Sequence, residues 1–343
     1  MALSEKNCSW DDPLSATVES EMTLTKVLRL SLEVLISLFG VVGDILVVIV
    51  ISHLGKKKRP GDYYLQNLAI ADLGTLMMTS PLLIIRLEMP LNWPFGEIAC
   101  LYLYPVAEIF YGSSVWCIAV IAIERYRKIS PVEIYRRNRT PIKIAKRTAA
   151  LVWVISFLTL CFPLYFVVDY QALSNRSQFC GPIRWTHFLE TVYIICLILL
   201  TYVIPLAIMS FTYIEISRVL RQSINMTRPL KQAHHLAKLQ SDKRNYQVNL
   251  NSVRLRQNIR AKKILSPLVV IFAVTMLPLN VFRLTMVFWP GFSGQEYFAH
   301  LLHAVVVSTI INSAANPVIY SVVSRNFGKR MLNHLLCRNC SFA

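Results

Sequence analysis

Asp44 places one carboxylate in the middle of an otherwise unbroken apolar run, GVVGDILVVIV at residues 40–50. An ionisable side chain at the centre of a membrane-crossing helix costs roughly 2.5–3.5 kcal/mol on insertion scales, so it usually faces the bundle interior and serves a function. The alternative is a protonated aspartic acid that is hydrogen-bonded within its own helix. The run therefore predicts either a functional carboxylate in a buried site or a neutral structural one.

No residue pattern in the chain predicts catalysis. The sequence has no Walker phosphate-binding loop, no zinc-protease helix and no Gly-x-Ser-x-Gly nucleophile turn. His234 and His235 are neighbours in a polar stretch, where a solvated surface is much commoner than a metal site. We therefore expect no catalytic residues, no enzyme activity and no required cofactor.

The composition indicates a membrane protein. Of the 343 residues, 55% are hydrophobic and 16% are charged, which is too apolar for an ordinary soluble domain. Windows of about 19 residues find seven stretches long enough to cross a bilayer core of roughly 30 Å as helices. They are residues 27–52, 64–87, 98–123, 148–168, 188–214, 264–288 and 298–322. The predicted fold class is an all-α bundle of seven membrane-spanning helices.

The positive charges predict how this bundle lies in the membrane. If the N-terminus is outside, the inner segments hold 29 of the 36 lysines and arginines. Because cytoplasmic loops are enriched in these residues, we expect a plasma-membrane protein with an extracellular N-terminus and a cytoplasmic C-terminus. The net charge of +17 then describes a cytoplasmic face, not a nucleic-acid-binding surface. The predicted domains are an outer segment at 1–24, the bundle at 25–323 and a tail at 324–343.

Two cysteines and two glycosylation sequons lie on the predicted outer side. Cys100 begins the third crossing and Cys180 lies in the loop before the fifth, so both face an oxidising compartment. A disulfide between them would hold that loop over the mouth of the bundle. Asn7 and Asn175 stand in Asn-x-Ser sequons and are the predicted glycosylation sites.

Each crossing from the second to the seventh carries its own short motif or marker residue, in a fixed order. The motifs are NLAIAD with Asp72, WPF at 93–95, Cys100, ERY at 124–126, Trp153, Pro205 with Tyr213, Phe272 with Leu277-Pro278, and NPVIY at 316–320. This set resembles the rhodopsin-like (class A) G-protein-coupled receptors over about residues 27–340. The resemblance implies a receptor that activates a heterotrimeric G protein when its sixth helix moves outward. The alternatives are a transporter, which needs a polar path through the membrane, and a membrane scaffold, which would lack these motifs.

The resemblance also implies which residues carry activation and G-protein coupling. They are Glu124, Arg125, Tyr126, Tyr213, Phe272, Met276, Pro278, Pro317 and Tyr320. Pro205, Pro278 and Pro317 each delete a hydrogen bond inside a helix, so we expect a bend at each of them. In the family, the tyrosines matched by Tyr213 and Tyr320 meet through water when the sixth helix swings outward.

The inner ends of the third and sixth helices affect the expected resting state. In the family, Arg125 pairs at rest with its neighbouring acid, here Glu124, and reaches toward the G protein on activation. Many relatives restrain this arginine with an acid in the sixth helix, where this chain has Asn258. Because that acid is missing, we expect a weaker resting lock and some ligand-independent signalling. The family's tryptophan beside the sixth-helix proline is Met276 here, so the large indole that usually senses ligand depth is missing.

The tail predicts a short amphipathic eighth helix on the membrane surface. Apolar residues recur at helical spacing between basic ones, at Phe327, Met331, Leu332, Leu335 and Leu336. Cys337 and Cys340 follow as predicted palmitoylation sites, with ordinary free thiols as the alternative. The basic inner loops complement the acidic surface of a G protein.

The expected ligand is a neuropeptide or peptide hormone. Amine receptors carry an aspartate where this chain has Ala107, and retinal-binding relatives carry a lysine where it has Ile310. A Glu and an Arg in the outer bundle resemble the ghrelin, motilin and neurotensin-like branch of peptide receptors. The predicted ligand-binding residues are Glu108, Arg283, Arg86 and Arg184. A non-peptide class A ligand is the alternative, and a structural Glu108–Arg283 salt bridge is the alternative for that pair.

The resemblance also implies neighbours for Asp44. The family has asparagine at this position and gathers a sodium ion nearby. The residues that correspond to its sodium ligands are Asp72, Ser114, Asn312, Ser313 and Asn316. Two close carboxylates in a low dielectric either share a proton or hold a cation. We therefore predict an allosteric Na⁺ site in which Asp44 is a second carboxylate.

Overall fold

The computed structural model describes residues 23–89, 92–129, 142–174, 177–182, 186–236, 242–289, 291–292, 297–323 and 325–335. Five predicted site residues lie outside these ranges, namely Asn7, Asn175, Arg184, Cys337 and Cys340. The side chain of Asn258 also lies outside the described part of the structure.

Seven long helices form the bundle and a shorter eighth helix follows them in the described ranges. The helices are α1 Thr23–Ser52, α2 Pro60–Glu88, α3 Gly96–Ile129, α4 Ile142–Val167, α5 187–236, α6 Asp242–Phe288, α7 Phe298–Val323 and α8 Arg325–Leu335. A hairpin of β1 Val168–Ser174 and β2 Ser177–Pro182 joins α4 to α5. Each of α1 to α7 contains a stretch long and apolar enough to span a membrane. The seven predicted crossings are confirmed, and the chain is a multi-pass membrane protein.

The bundle carries large apolar side chains on its outside as well as in its core. Leu35 on α1, Leu158 on α4 and Val274 on α6 each expose more than half of their surface. Apolar patches of this extent are rare on soluble monomers, whereas lipid tails solvate such side chains as well as a protein core does. The outer faces of the helices are therefore suited to contact with hydrocarbon.

The helix α3 lies at the centre of the bundle. It packs against α2, α4, α5 and α6. The largest fully buried side chains around it include Leu68, Ile118, Ile121, Met209, Leu265 and Phe272. Because α3 has neighbours on several sides, polar residues along it can meet partners from more than one helix.

Four helices contain a wide π turn, and a proline lies two residues after each turn. The turns are Thr75–Thr79, Ala99–Leu103, Phe157–Cys161 and Leu199–Val203, and the prolines are Pro81, Pro105, Pro163 and Pro205. Proline lacks an N–H and its ring clashes with the preceding turn, so a helix relieves the clash by widening locally. Of the predicted bends, Pro205 lies beside such a turn, whereas Pro278 and Pro317 lie within the continuous helices α6 and α7.

The connection between α4 and α5, which the sequence predicted only as a loop, forms an antiparallel hairpin. Tyr170 of β1 pairs with Cys180 of β2, and Cys180 forms a disulfide with Cys100 in α3. The N–H of Trp93 donates to the carbonyl of Gln178 at 2.8 Å, which ties the hairpin to the α2–α3 connection. The predicted disulfide is confirmed, and we call this side of the molecule the disulfide end.

The helix α8 lies at the opposite side, which we call the α8 end. It packs against α1 and α7 and buries Met331. A β-carbon on Gly328 would lie 2.6 Å from the carbonyl oxygen of Ser321, so only glycine fits where the chain turns from α7 into α8. The predicted amphipathic eighth helix is confirmed.

A glycine brings α1 close to both α2 and α7. A β-carbon on Gly40 would lie 2.7 Å from Cδ1 of Leu76 and 2.8 Å from Cβ of Ala314. Asp44 follows one turn later on the same helix and is only 1% exposed. The close packing of α1 therefore positions this carboxylate inside the bundle.

Candidate functional site

A polar site lies at mid-depth where α2, α3 and α7 meet. The hydroxyl of Ser114 donates to Asp72 Oδ1 at 2.6 Å, and the amide of Asn316 donates to Asp72 Oδ2 at 2.8 Å. Ser313 lies close enough to act on Asp72 as a further donor, and Asn312 is buried on the same helix. The structure therefore brings Asp72, Ser114, Ser313 and Asn316 together, whereas the side-chain oxygen of Asn312 accepts from the hydroxyl of Thr275 on α6 at 3.1 Å.

Asp44 joins this polar site from α1. Its carboxylate interacts electrostatically with Asp72, and its Oδ2 has no hydrogen-bond partner among the described residues. A buried polar atom left without a partner costs about 1–3 kcal/mol, and more when it is charged. Carboxylate, hydroxyl and amide oxygens are the ligands that hard cations prefer. The donor set and the orphaned oxygen thus fit a bound cation such as Na⁺.

Two arginines at the disulfide end each rest on a tyrosine ring. Arg86 of α2 donates to the hydroxyl of Tyr104 at 2.6 Å, and its guanidinium carbon lies 5.3 Å from the centre of that ring. The guanidinium carbon of Arg283 on α6 lies 5.6 Å from the ring centre of Tyr111. Glu108 on α3 interacts electrostatically with both arginines. Three of the four predicted ligand-binding residues therefore converge, and the described residues hold no Glu108–Arg283 ion pair within 4 Å.

A series of contacts leads from Arg283 into the core of the bundle. Tyr111, which lies under Arg283, donates its hydroxyl to the sulfur of Met276 at 3.8 Å. Phe272 lies one turn before Met276 on α6, nearer the α8 end, and stacks on Tyr202 with ring centres 6.0 Å apart. Met276 and Phe272 are both fully buried. These contacts connect the disulfide end to Phe272 although the large indole usual at position 276 in the family is missing.

At the α8 end, Glu124 pairs with Lys128 instead of with Arg125 as the sequence predicted. The Nζ of Lys128 lies 2.5 Å from Glu124 Oε1. The Nε of Arg125 is buried and has no hydrogen-bond partner among the described residues. The reason is spacing, because residues four apart share one face of a helix, whereas adjacent residues point in different directions.

The tyrosines predicted for coupling lie at the same end but have different surroundings. The Nζ of Lys262 on α6 lies 5.5 Å from the ring centre of Tyr213. Tyr320 on α7 is buried, and its hydroxyl has no hydrogen-bond partner within the described ranges. Tyr126 packs edge-on against Phe211 with ring centres 6.2 Å apart. The three tyrosines thus lie on α3, α5 and α7 at the α8 end, and Lys262 of α6 lies beside Tyr213.

Five charged or titratable residues that the sequence analysis did not group meet at the disulfide end. We call them the charge cluster, which consists of Lys26, Arg29, Glu33, Glu88 and His303. Lys26 Nζ and Arg29 Nη2 lie 2.6 and 2.7 Å from the two oxygens of Glu88. Arg29 Nη1 lies 2.7 Å from Nδ1 of His303. Only the Arg29–Glu33 spacing of four residues signals an interaction in the sequence, since His303 is 274 residues from Arg29.

Comparisons with known proteins agree with this architecture. A family model described as "7 transmembrane receptor (rhodopsin family)" matches residues 43–320. A QRFP-like peptide receptor from Branchiostoma floridae is 29% identical over 91% of this chain and 78% of its own length. Somatostatin receptor type 4 from Rattus norvegicus is 26% identical over 97% of this chain and 80% of its own. Galanin receptor type 1 from the same species is 24% identical over 90% and 82%.

Proposed function

Because this chain belongs to the rhodopsin family of seven-transmembrane receptors, we propose that a peptide activates it and that it signals through a heterotrimeric G protein. The observation that carries the peptide assignment is the set of similar proteins, which are named as a QRFP-like peptide receptor, a somatostatin receptor and a galanin receptor. Each of them matches nine-tenths of this chain or more. The charged groups at the disulfide end support it, because guanidinium and carboxylate groups suit the charged ends and side chains of a peptide. The proposal includes no catalytic step and no nucleic-acid partner. The finer likeness to the ghrelin, motilin and neurotensin-like branch stays a prediction.

In the proposed orientation, the disulfide end faces the outside of the cell and the α8 end faces the cytoplasm. The excess of Lys and Arg on the connections at the α8 end supports this orientation by the positive-inside rule. A disulfide at the other end is in keeping with an oxidising compartment. The lipid of the plasma membrane then surrounds the bundle and supports α8.

The proposed ligand contacts are Glu108, Arg283 and Arg86. Each arginine rests on a tyrosine ring, which holds its guanidinium fork where a peptide carboxylate can bind it. Exchanging the charges, with Glu108→Arg combined with Arg283→Glu, should preserve folding and surface expression but weaken the agonist response about 10- to 100-fold. Wild-type potency in the exchanged receptor would instead make the two residues a structural pair.

We propose that Tyr111 and Met276 transmit the effect of ligand binding at Arg283 to Phe272. A ligand that draws the guanidinium away from the Tyr111 ring changes the position of the tyrosine hydroxyl on the Met276 sulfur. Methionine is flexible and repacks readily, so a small shift of the ring can be taken up along α6. The backbone of α6 at Ala273 also accepts the hydroxyl of Tyr202, the ring on which Phe272 stacks.

Arg125 is the proposed output residue toward the G protein. The Glu124–Lys128 pair leaves Arg125 less restrained, and position 258 offers an amide where many relatives have an acid. Ligand-independent signalling should therefore exceed that of cells without the receptor, and Asn258→Glu should lower it. Absence of basal signal, together with unchanged agonist potency in Asn258→Glu, would contradict this account of the resting state.

The proposed function as a whole is tested by a peptide-library screen on expressing cells, with G-protein dissociation as the readout. At least one pool should dissociate a G protein in cells with the wild-type receptor. The matched control is Arg125→Gln at equal surface level, which should bind the same peptide but respond weakly or not at all. A library without any active pool, combined with solute uptake by expressing cells, would favour a transporter instead.

A further inference from the structure

The charge cluster joins α1, α2 and α7, and it holds one carboxylate without a hydrogen bond. Glu33 is 0% exposed, and neither of its oxygens has a hydrogen-bond partner among the described residues. A buried carboxylate has lost its water and is stable only beside cations or hydrogen-bond donors. The cluster therefore lacks hydrogen-bond donors at Glu33.

Two nitrogen atoms stand at equal distances from this carboxylate. Arg29 Nη1 and His303 Nδ1 each lie 3.8 Å from Glu33 Oε1, and they lie 2.7 Å from each other. Because arginine is always a donor, Nδ1 must be the acceptor of that bond and carries no proton. The one proton of the neutral imidazole is then on Nε2, which lies 3.9 Å from Glu88 Oε1. The ring of His303 thus has a carboxylate near each nitrogen.

We propose that the charge cluster is a proton-binding site through which acidity at the disulfide end tightens α7 against α1 and α2. A proton taken up at Nδ1 ends the hydrogen bond that this atom accepts from Arg29 Nη1. His303 and Arg29 are then both donors, and both can turn to Glu33. Closing the two 3.8 Å separations by about 1 Å would form two hydrogen bonds to Glu33. The imidazolium then lies between a carboxylate of α1 and a carboxylate of α2.

The other described residues near His303 contact partners of their own and make no hydrogen bond or ion pair with its imidazole ring. Lys26 contacts Glu88 and reaches the ring only through it. On the α6 side, Phe282 packs against Phe298 of α7, and Arg283 rests on Tyr111 of α3. With neutral His303 the two acids and two bases of the cluster balance, so one added proton makes its charge +1. Imidazole is the side chain whose charge ordinarily changes between about pH 5 and pH 8.

Thermal unfolding of the purified receptor near pH 6 and near pH 8 tests the proposal. Because the folded protein holds this proton between two carboxylates, the stabilisation is present at the lower pH and is lost as the pH rises. The wild-type receptor should therefore have a higher melting temperature than His303→Gln near pH 6. This difference in melting temperature should be at least roughly 2 °C larger near pH 6 than near pH 8. His300→Gln is the matched control, since His300 is exposed on the same helix, and it should follow the wild type.

A second variant keeps the test valid if His303→Gln does not fold. Glu33→Gln keeps the shape of the side chain but removes the negative charge that attracts protonated His303. Its melting temperature should therefore show the same loss of pH dependence. In the double variant, the melting temperature should lose no more of its pH dependence than in either single variant. The reason is that both substitutions remove the same interaction. An equal margin at both pH values, or full pH dependence in Glu33→Gln, would overturn the proposal. No peptide or G protein enters this measurement, so it can fail independently of the proposed function.

Discussion

Asp44→Asn distinguishes a polar site with two carboxylates from one with a single carboxylate. Asp44 and Asp72 are both buried and interact electrostatically, and Asp44 Oδ2 has no hydrogen-bond partner among the described residues. Asparagine keeps the size of the side chain and one of its oxygens but removes the charge. The substitution therefore changes the attraction for a cation with little change in packing.

The size of the effect follows from the charge pair. Two like charges at roughly 4–8 Å repel by about 2–4 kcal/mol at an effective dielectric constant of about 20. A Na⁺ ion near both carboxylates gains a similar attraction from the second one, reduced where the pair shares a proton. If half of this energy remains, Asp44→Asn should bind Na⁺ about 5- to 30-fold more weakly than the wild type.

Thermal unfolding in NaCl, against choline chloride at the same total salt, measures this difference. A ligand that binds only the folded state raises its stability in proportion to RT ln(1 + [L]/Kd). The wild-type receptor should gain stability at lower Na⁺ concentrations than Asp44→Asn, and the control Asp72→Asn should lose the Na⁺ effect. Equal Na⁺ midpoints in the wild type and Asp44→Asn, or no Na⁺ effect in the wild type, would refute the reasoning.

Three further substitutions, one of them with a control, test other parts of the structure. Tyr111→Phe keeps the ring under the arginine but deletes the hydroxyl on the methionine sulfur, so agonist potency should fall roughly 2- to 10-fold without lost binding. Unchanged potency in Tyr111→Phe would exclude transmission through the Tyr111–Met276 contact. Gly40→Ala should destabilise the receptor by about 1–3 kcal/mol through overpacking. At the control position Gly291, the nearest atom of the described residues is 3.8 Å from the added carbon, so Gly291→Ala should change the stability by less than about 0.5 kcal/mol. Equal losses in the two variants would contradict the packing around Gly40. Lys128→Gln should lower basal G-protein signalling by returning Glu124 to Arg125, and an unchanged basal signal would count against it.

The seven helices could be predicted from the sequence because a bilayer imposes a simple requirement. A segment that crosses hydrocarbon must be about 20 apolar residues long and must satisfy its backbone within a helix. Polar residues inside such segments, including Asp44 and Asp72, then had to face the interior. Their actual meeting with Asn316 follows from the packing of α1, α2 and α7, which the family resemblance implied and local pattern alone does not show.

The charge cluster and the π turns could not be predicted in the same way. His303 meets Arg29 through the tertiary arrangement of α7 and α1, and no pattern within either helix indicates that contact. A proline predicts a disturbed helix but not its form, so the widened turn beside Pro205 and the continuous helix around Pro278 have the same local signal. The ERY motif puts Arg125 next to Glu124, whereas helix spacing favours Lys128, four positions on, as the partner of Glu124.

The most direct test of a peptide-activated, G-protein-coupled receptor is nucleotide exchange on a purified G protein. The receptor is reconstituted in lipid nanodiscs and exposed to an active library pool, or to the same pool after digestion by a protease. The intact pool should accelerate exchange, and the digested pool should not. Acceleration that survives digestion would contradict a peptide ligand, and no acceleration by any pool, with cells that also fail to respond, would contradict the receptor function itself.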